Sequence, residues 1–114
     1  MAVIFPHIRE KLDSRYKEGI SIIVNSGLNF VEFGVFGSYA RDDFGPDSDV
    51  DFCIIFKSDS DVPSRNECAL LRSKLDDVGC DCIGTTLDRF EKDNTAFYKE
   101  LRRDYRKVEV NERI

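Results

Sequence analysis

The chain is 114 residues long, 41% apolar and 34% charged, with a formal net charge of −5 at pH 7. That length predicts a single domain over residues 1–114 with one buried core, and the acidic balance argues against a general nucleic-acid binder, which needs a basic face. No apolar run approaches the ~18 residues of a membrane span, and Met1–Pro6 has no basic leader of a secretory signal. The expectation is a cytoplasmic protein without a membrane or direct nucleic-acid partner.

Taken in order, residues 6–26 predict a helix: Pro6 suits a first turn. Ile8, Leu12, Tyr16, Ile20, Ile23 and Val24 recur at steps of three and four, and Gly27 fits the helix end. His7 lies near its start and reads as an exposed side chain. Residues 29–36 predict a largely buried strand. Ser38, a favoured cap residue, is expected to cap a short helix running from Tyr39 towards Asp43. Phe44-Gly45-Pro46-Asp47 has turn composition and returns the chain to a second strand over residues 48–56.

Lys57 to Asp61 reads as polar loop. Residues 64–78 predict a helix with a Ser64/Glu67 capping box, an inward stripe of Cys68, Leu71, Leu75 and Val78, and Gly79 as its stop. Residues 80–86 predict a third strand. Asp88 and Glu91 are expected to cap a further helix, broken near Asn94. Phe97, Tyr98, Leu101 and Tyr105 continue with helical spacing, and residues 108–110 suggest a last short strand. This order predicts an α+β fold with α/β-like succession, in which a small mixed sheet is flanked by helices.

Cys53, Cys68, Cys80 and Cys82 fall within apolar periodic segments, which predicts buried free thiols. No Cys or His pair at zinc-like spacing accompanies Cys80 and Cys82.

The chemistry concentrates in residues 37–52, GSYARDDFGPDSDVDF. Acidic residues are depleted in strands, yet Asp49 and Asp51 open an apolar run. Residues two apart in an extended chain share a side, so the two carboxylates lie together, with Val50 and Phe52 opposite. Carboxylates that close repel unless a proton or a cation sits between them. Hard oxygen donors suit magnesium, which takes one or two carboxylates plus phosphate oxygens and waters. Gly37 lets a phosphate approach the backbone, and amides opening a helix attract the anion. Together they predict a phosphate cradle beside a metal clamp. An EF-hand loop would place its glycine at Phe52 and its bidentate acid at Ser58, so calcium sensing is a poor explanation. A plain acidic loop is the bland alternative, with seven aspartates against Arg41 and Lys57 over residues 41–61. Asp81, inside the third strand with Cys80 and Cys82 pointing away from it, is either a third member of the set or an edge residue facing water.

Gly37-Ser38, ten intervening residues, then Asp49-Val50-Asp51 resembles the signature of the DNA polymerase beta-like nucleotidyltransferase superfamily. The fuller string Gly37-Ser38-Tyr39-Ala40-Arg41 with Ser48-Asp49-Val50-Asp51-Phe52 is similar to its smallest branch, the minimal nucleotidyltransferases usually partnered with HEPN-domain proteins. The resemblance implies that core fold and two magnesium ions held by Asp49, Asp51 and Asp81. It also implies a nucleotide, ATP, on Gly37 and Ser38, and transfer of AMP to a tyrosine of a HEPN-family toxin, with this chain as the antitoxin. Arg41 reads as a further contact to the nucleotide's phosphates, as a partner contact, or as a surface salt bridge with Asp42 or Asp43. Transfer to a small molecule such as an aminoglycoside, and a catalytically weak antitoxin acting by contact alone, are the alternatives. One departure concerns Asp42, which stands where that family usually has glycine.

Overall fold

The structure is a computed structural model that describes residues 6–109 and residue 111. The chain runs α1 (Pro6–Val24), β1 (Glu32–Phe36), α2 (Gly37–Arg41), β2 (Val50–Phe56), a 3₁₀ turn (Asp59–Asp61), α3 (Arg65–Asp76), β3 (Cys80–Thr86), α4 (Leu87–Lys92), α5 (Ala96–Asp104) and β4 (Arg106–Lys107). The strands form one mixed sheet in the order β3-β2-β1-β4. β1 is antiparallel to β2 and β4, whereas β2 and β3 are parallel and joined through α3. The expected α+β architecture is the one observed.

Strand alternation sorts the side chains onto two faces. On one, Val50, Phe52, Ile54 and Phe56 of β2, Phe33 and Val35 of β1, and Cys80 and Cys82 of β3 pack against Leu12, Ile20 and Ile23 of α1 and Leu71 and Leu75 of α3. On the other, Cys53 and Ile55 lie under Leu101 of α5, with Phe36, Ile83, Leu87 and Phe90 around them. Asp51 belongs to this second face, one step of the pleat before Cys53, at the uncovered end of the strand.

The third strand has the predicted bounds, and Ser64 and Glu67 form the predicted capping box of α3. Other ends differ. β1 begins three residues later than expected, although Val31 still donates to the Ile55 carbonyl at 2.8 Å. Ser38 is not the cap of α2: Phe36 holds that position without a side-chain bond, and Ser38 lies inside the first turn. Thr86, rather than Asp88, caps α4, its hydroxyl accepting from the Arg89 amide at 3.3 Å. The last strand is Arg106–Lys107, two residues before the expected one. The Val108 amide still bonds to the Phe33 carbonyl at 2.9 Å, and Val110 lies outside the described residues. Cys53, Cys80 and Cys82 are buried free thiols as predicted, while Cys68 is half-buried. Burial pushes the Cys53 and Cys80 thiols up to about 12 and Cys82 to about 11, so none is a ready nucleophile.

Candidate active site

The β1–α2 junction turns sharply at Gly37, whose φ is +75°. Glycine adopts that conformation without the steric cost that an L side chain meets. It also makes room: a Cβ on Gly37 would lie 2.8 Å from Asp51 Oδ2. Asp51 pairs with Phe36 on one side and stands in register with Asp81 on the other. Gly37 therefore overhangs a carboxylate that lies between two strands.

α2 is held in place from below. Tyr39 is buried, packs at a tilt against Tyr16 and Phe44, and donates its hydroxyl to Asp13 Oδ1 on α1 at 2.6 Å. Burial and that carboxylate raise the phenol well above its ordinary range, so Tyr39 packs and anchors. Asp42 ends the turn at φ 62°, ψ 26°, the left-handed region, with its amide bonded back to the Ser38 and Tyr39 carbonyls. Aspartate is one of the few side chains that tolerate this region. The residue that departs from the family pattern thus keeps the backbone shape glycine would give.

The three predicted carboxylates do come to one end of the sheet. Asp51 and Asp81 sit on neighbouring parallel strands, whose spacing is ~4.8 Å, and Asp49 immediately precedes β2. Asp51 is half-buried, and burial, then Asp81, then Asp49 raise its carboxyl to about 6. The outer two each have a counter-ion. Arg15 Nη1 lies 3.8 Å from Asp49 Oδ1 and donates to the Ser48 carbonyl at 3.4 Å. Arg72 Nη2 lies 3.5 Å from Asp81 Oδ1, which also accepts from the Cys82 amide at 2.8 Å.

Among the described residues, no three His, Cys, Asp or Glu side chains are gathered closely enough to hold a metal ion. The donor chemistry nevertheless fits one. Three hard carboxylates share one end of the sheet, and the central one carries the repulsion of both neighbours, which a divalent cation would relieve. Asp81 also meets the alternative expectation: β3 is an edge strand and the Asp81 side chain is 54% exposed. Beside it an open cleft of about 480 Å³ is lined by Asp49, Arg72, Ser73, Asp76 and Asp81.

Of the other predicted residues, Ser38 is half-buried in the first turn of α2, and no hydrogen bond to its hydroxyl is found among the described residues. Arg41 is already engaged, donating to Asp43 at 3.0 Å and to Asp104 at 2.8 Å. His7 is exposed. Sequence reasoning missed Arg15 and Arg72. Arg15 lies on α1, far from the motif in sequence, and only the fold brings it beside Gly79, whose φ is +76° and where a Cβ would clash with Arg15 Nε.

The chain matches the nucleotidyltransferase domain family over residues 7–113 and belongs to it. Two solved structures share the fold. A candidate nucleotidyltransferase from Sulfolobus solfataricus aligns with a TM-score of 0.61 at 20% identity, over 89% of this chain and 82% of that one. A toxin–antitoxin structure with AMP-PNP aligns with a TM-score of 0.58 at 14% identity, over 86% of this chain and 77% of that one. No curated protein matches the chain. Among the described residues, no helix is long and apolar enough to cross a membrane.

Proposed function

We propose that this chain is a minimal, cytoplasmic nucleotidyltransferase that moves AMP from ATP onto a hydroxyl of a protein partner. The proposed acceptor is a tyrosine of a HEPN-family toxin, which the chain silences as its antitoxin. The observation that carries this reading is the register of Asp51 with Asp81 beneath Gly37. It sets two carboxylates side by side on one face, directly under the turn that opens α2. Support for a toxin partner comes from the fold likeness to a toxin–antitoxin structure that contains AMP-PNP.

In this reading Gly37 admits the triphosphate to the backbone, and Ser38, whose hydroxyl bonds to none of the described residues, donates to it. Asp49, Asp51 and Asp81 would hold two magnesium ions, which supply charge neutralisation and acidify the attacking hydroxyl. The acceptor oxygen attacks the α-phosphorus, a new P–O bond forms, and the bond to the bridging oxygen breaks to release pyrophosphate. Asp81, at the exposed edge beside the open cleft, takes the hydroxyl proton. Arg41 joins the phosphate site only by leaving Asp43, since its bond to Asp104 is needed to tie α2 to α5.

Asp49→Asn combined with Asp51→Asn removes charge and little volume. It should abolish transfer while the domain stays folded. Transfer that persists in the double variant would contradict the metal assignment. Silencing by contact alone is the second reading, favoured by the arginines that already neutralise Asp49 and Asp81. Wild type that silences its partner without modifying it would establish that reading instead.

A further inference from the structure

We propose that Phe97 is the platform on which the nucleobase of the bound nucleotide stacks; this rests on the nucleotidyl-transfer reading above. α5 covers the carboxylate face of the sheet through Leu101, which is 2% exposed against Cys53 and Ile55. Phe97 rises from the first turn of the same helix but is 49% exposed, so it does not serve the core. Its ring is nonetheless held in place. Phe36 meets it at 6.5 Å and 87°, and Tyr98 at 5.5 Å and 86°. Phe36 is the strand residue opposite Asp51 and immediately precedes Gly37. A fixed, open aromatic ring therefore stands next to the residue that precedes the phosphate cradle, on the face that bears the carboxylates.

The helix that carries Phe97 is fastened to the cradle. Arg41 of α2 bonds Asp104 of α5 at 2.8 Å, and the Asp104 side chain is only 7% exposed. The element that carries the platform is thus tied to the element that carries the cradle. A nucleoside triphosphate matches the pair: an anionic end for Gly37 and Ser38, and a flat heteroaromatic end for Phe97. Stacking of this kind accepts every base, because every base has a π-face. Phe97 would therefore add affinity for nucleotides as a class, purines most through their larger rings, without reading base edges.

The test compares ATP with inorganic tripolyphosphate, a base-free probe, both with magnesium and both measured by calorimetry. Phe97→Ala should weaken ATP binding by about five- to a hundredfold, the scale of one lost base–aromatic stack, and leave tripolyphosphate unchanged. Phe97→Trp should restore ATP affinity. The chain has no tryptophan, so that variant's fluorescence is a sole reporter, which ATP should quench and tripolyphosphate should not. Equal ATP affinity in wild type and Phe97→Ala overturns the inference, as do equal losses for both ligands. Unchanged ATP binding with poorer co-purification of the toxin would assign Phe97 to the partner and also overturn it. Wild type that binds neither ligand would instead overturn the nucleotide reading, and this inference with it.

Discussion

Gly37 and Asp51 meet so closely that a single methyl group on Gly37 would sit 2.8 Å from the Asp51 carboxylate. The turn and the carboxylate therefore form one unit. Gly37→Ala should cost about 1–2 kcal/mol, the scale of an L side chain held at left-handed φ, and should push Asp51 out of line with Asp81. Thermal melts should fall by several degrees and transfer should be lost. Gly37→Ala with wild-type stability and wild-type turnover would show that the turn is not coupled to the site.

Asp51 gives the metal-free protein a defined response to pH. Its carboxyl is raised to about 6 by burial and by Asp81 and Asp49, against roughly 4 in an unfolded chain. Between those values the folded chain holds a proton that the unfolded chain has released, so stability falls as pH rises through that window. Asp51→Asn should match wild type near pH 4. By pH 7 in chelator it should be more stable by roughly 1 kcal/mol, allowing for screening at a partly open group. Added magnesium should stabilise wild type and leave Asp51→Asn unchanged, because only a native state that binds the ion gains from it. A pH-independent difference between the two proteins would remove the buried repulsion.

Much of this site was legible in the chain. Asp49, Asp51 and Asp81 declare themselves because acidic residues seldom open apolar strands, and Cys80 and Cys82 fix by alternation which way Asp81 points. The parallel pairing of β2 with β3 was legible only as a condition on Asp81, since short-range periodicity does not encode which strands neighbour each other. Ser38 misled as a cap because the turn at Gly37 already starts the helix. Phe97 has the same helical spacing as Leu101, yet it lies 49% exposed in the first turn of α5, which spacing alone does not reveal. Arg15 was hidden for a different reason: its role depends on α1 passing beside Gly79, a contact made only in three dimensions.

Asp42 supplies a check on the loop itself. Its φ of 62° is the only positive value at a non-glycine among the described residues. Asp42→Gly should stabilise the domain by about 0.5–1 kcal/mol through relief of that conformation. The lost ion pair with Arg9, 3.5 Å apart and exposed on both sides, should subtract little. Asp42→Val should destabilise instead, because a β-branched residue tolerates this region worst. Chemical denaturation of the three proteins gives the order directly, and a Val variant as stable as the Gly variant would contradict it.

Arg15 and Gly79 should behave as a coupled pair. An alanine Cβ at position 79 would meet Arg15 Nε at 2.4 Å and drive the guanidinium away from Ser48 and Asp49. Gly79→Ala should cost about 1–3 kcal/mol, including its left-handed φ. In an Arg15→Ala background the penalty should shrink towards the backbone cost alone. A double-mutant cycle measures the coupling, and strict additivity would mean that Arg15 does not occupy the space Gly79 leaves.

The intact mass of a co-expressed HEPN-family toxin decides between transfer of AMP to a protein partner and neutralisation by contact. Wild type should add the mass of one or more AMP groups, located on tyrosine by fragmentation. The Asp49→Asn/Asp51→Asn variant should add none while still co-purifying with the toxin. A toxin of unmodified mass that wild type nevertheless silences would contradict transfer and leave contact as the means of neutralisation.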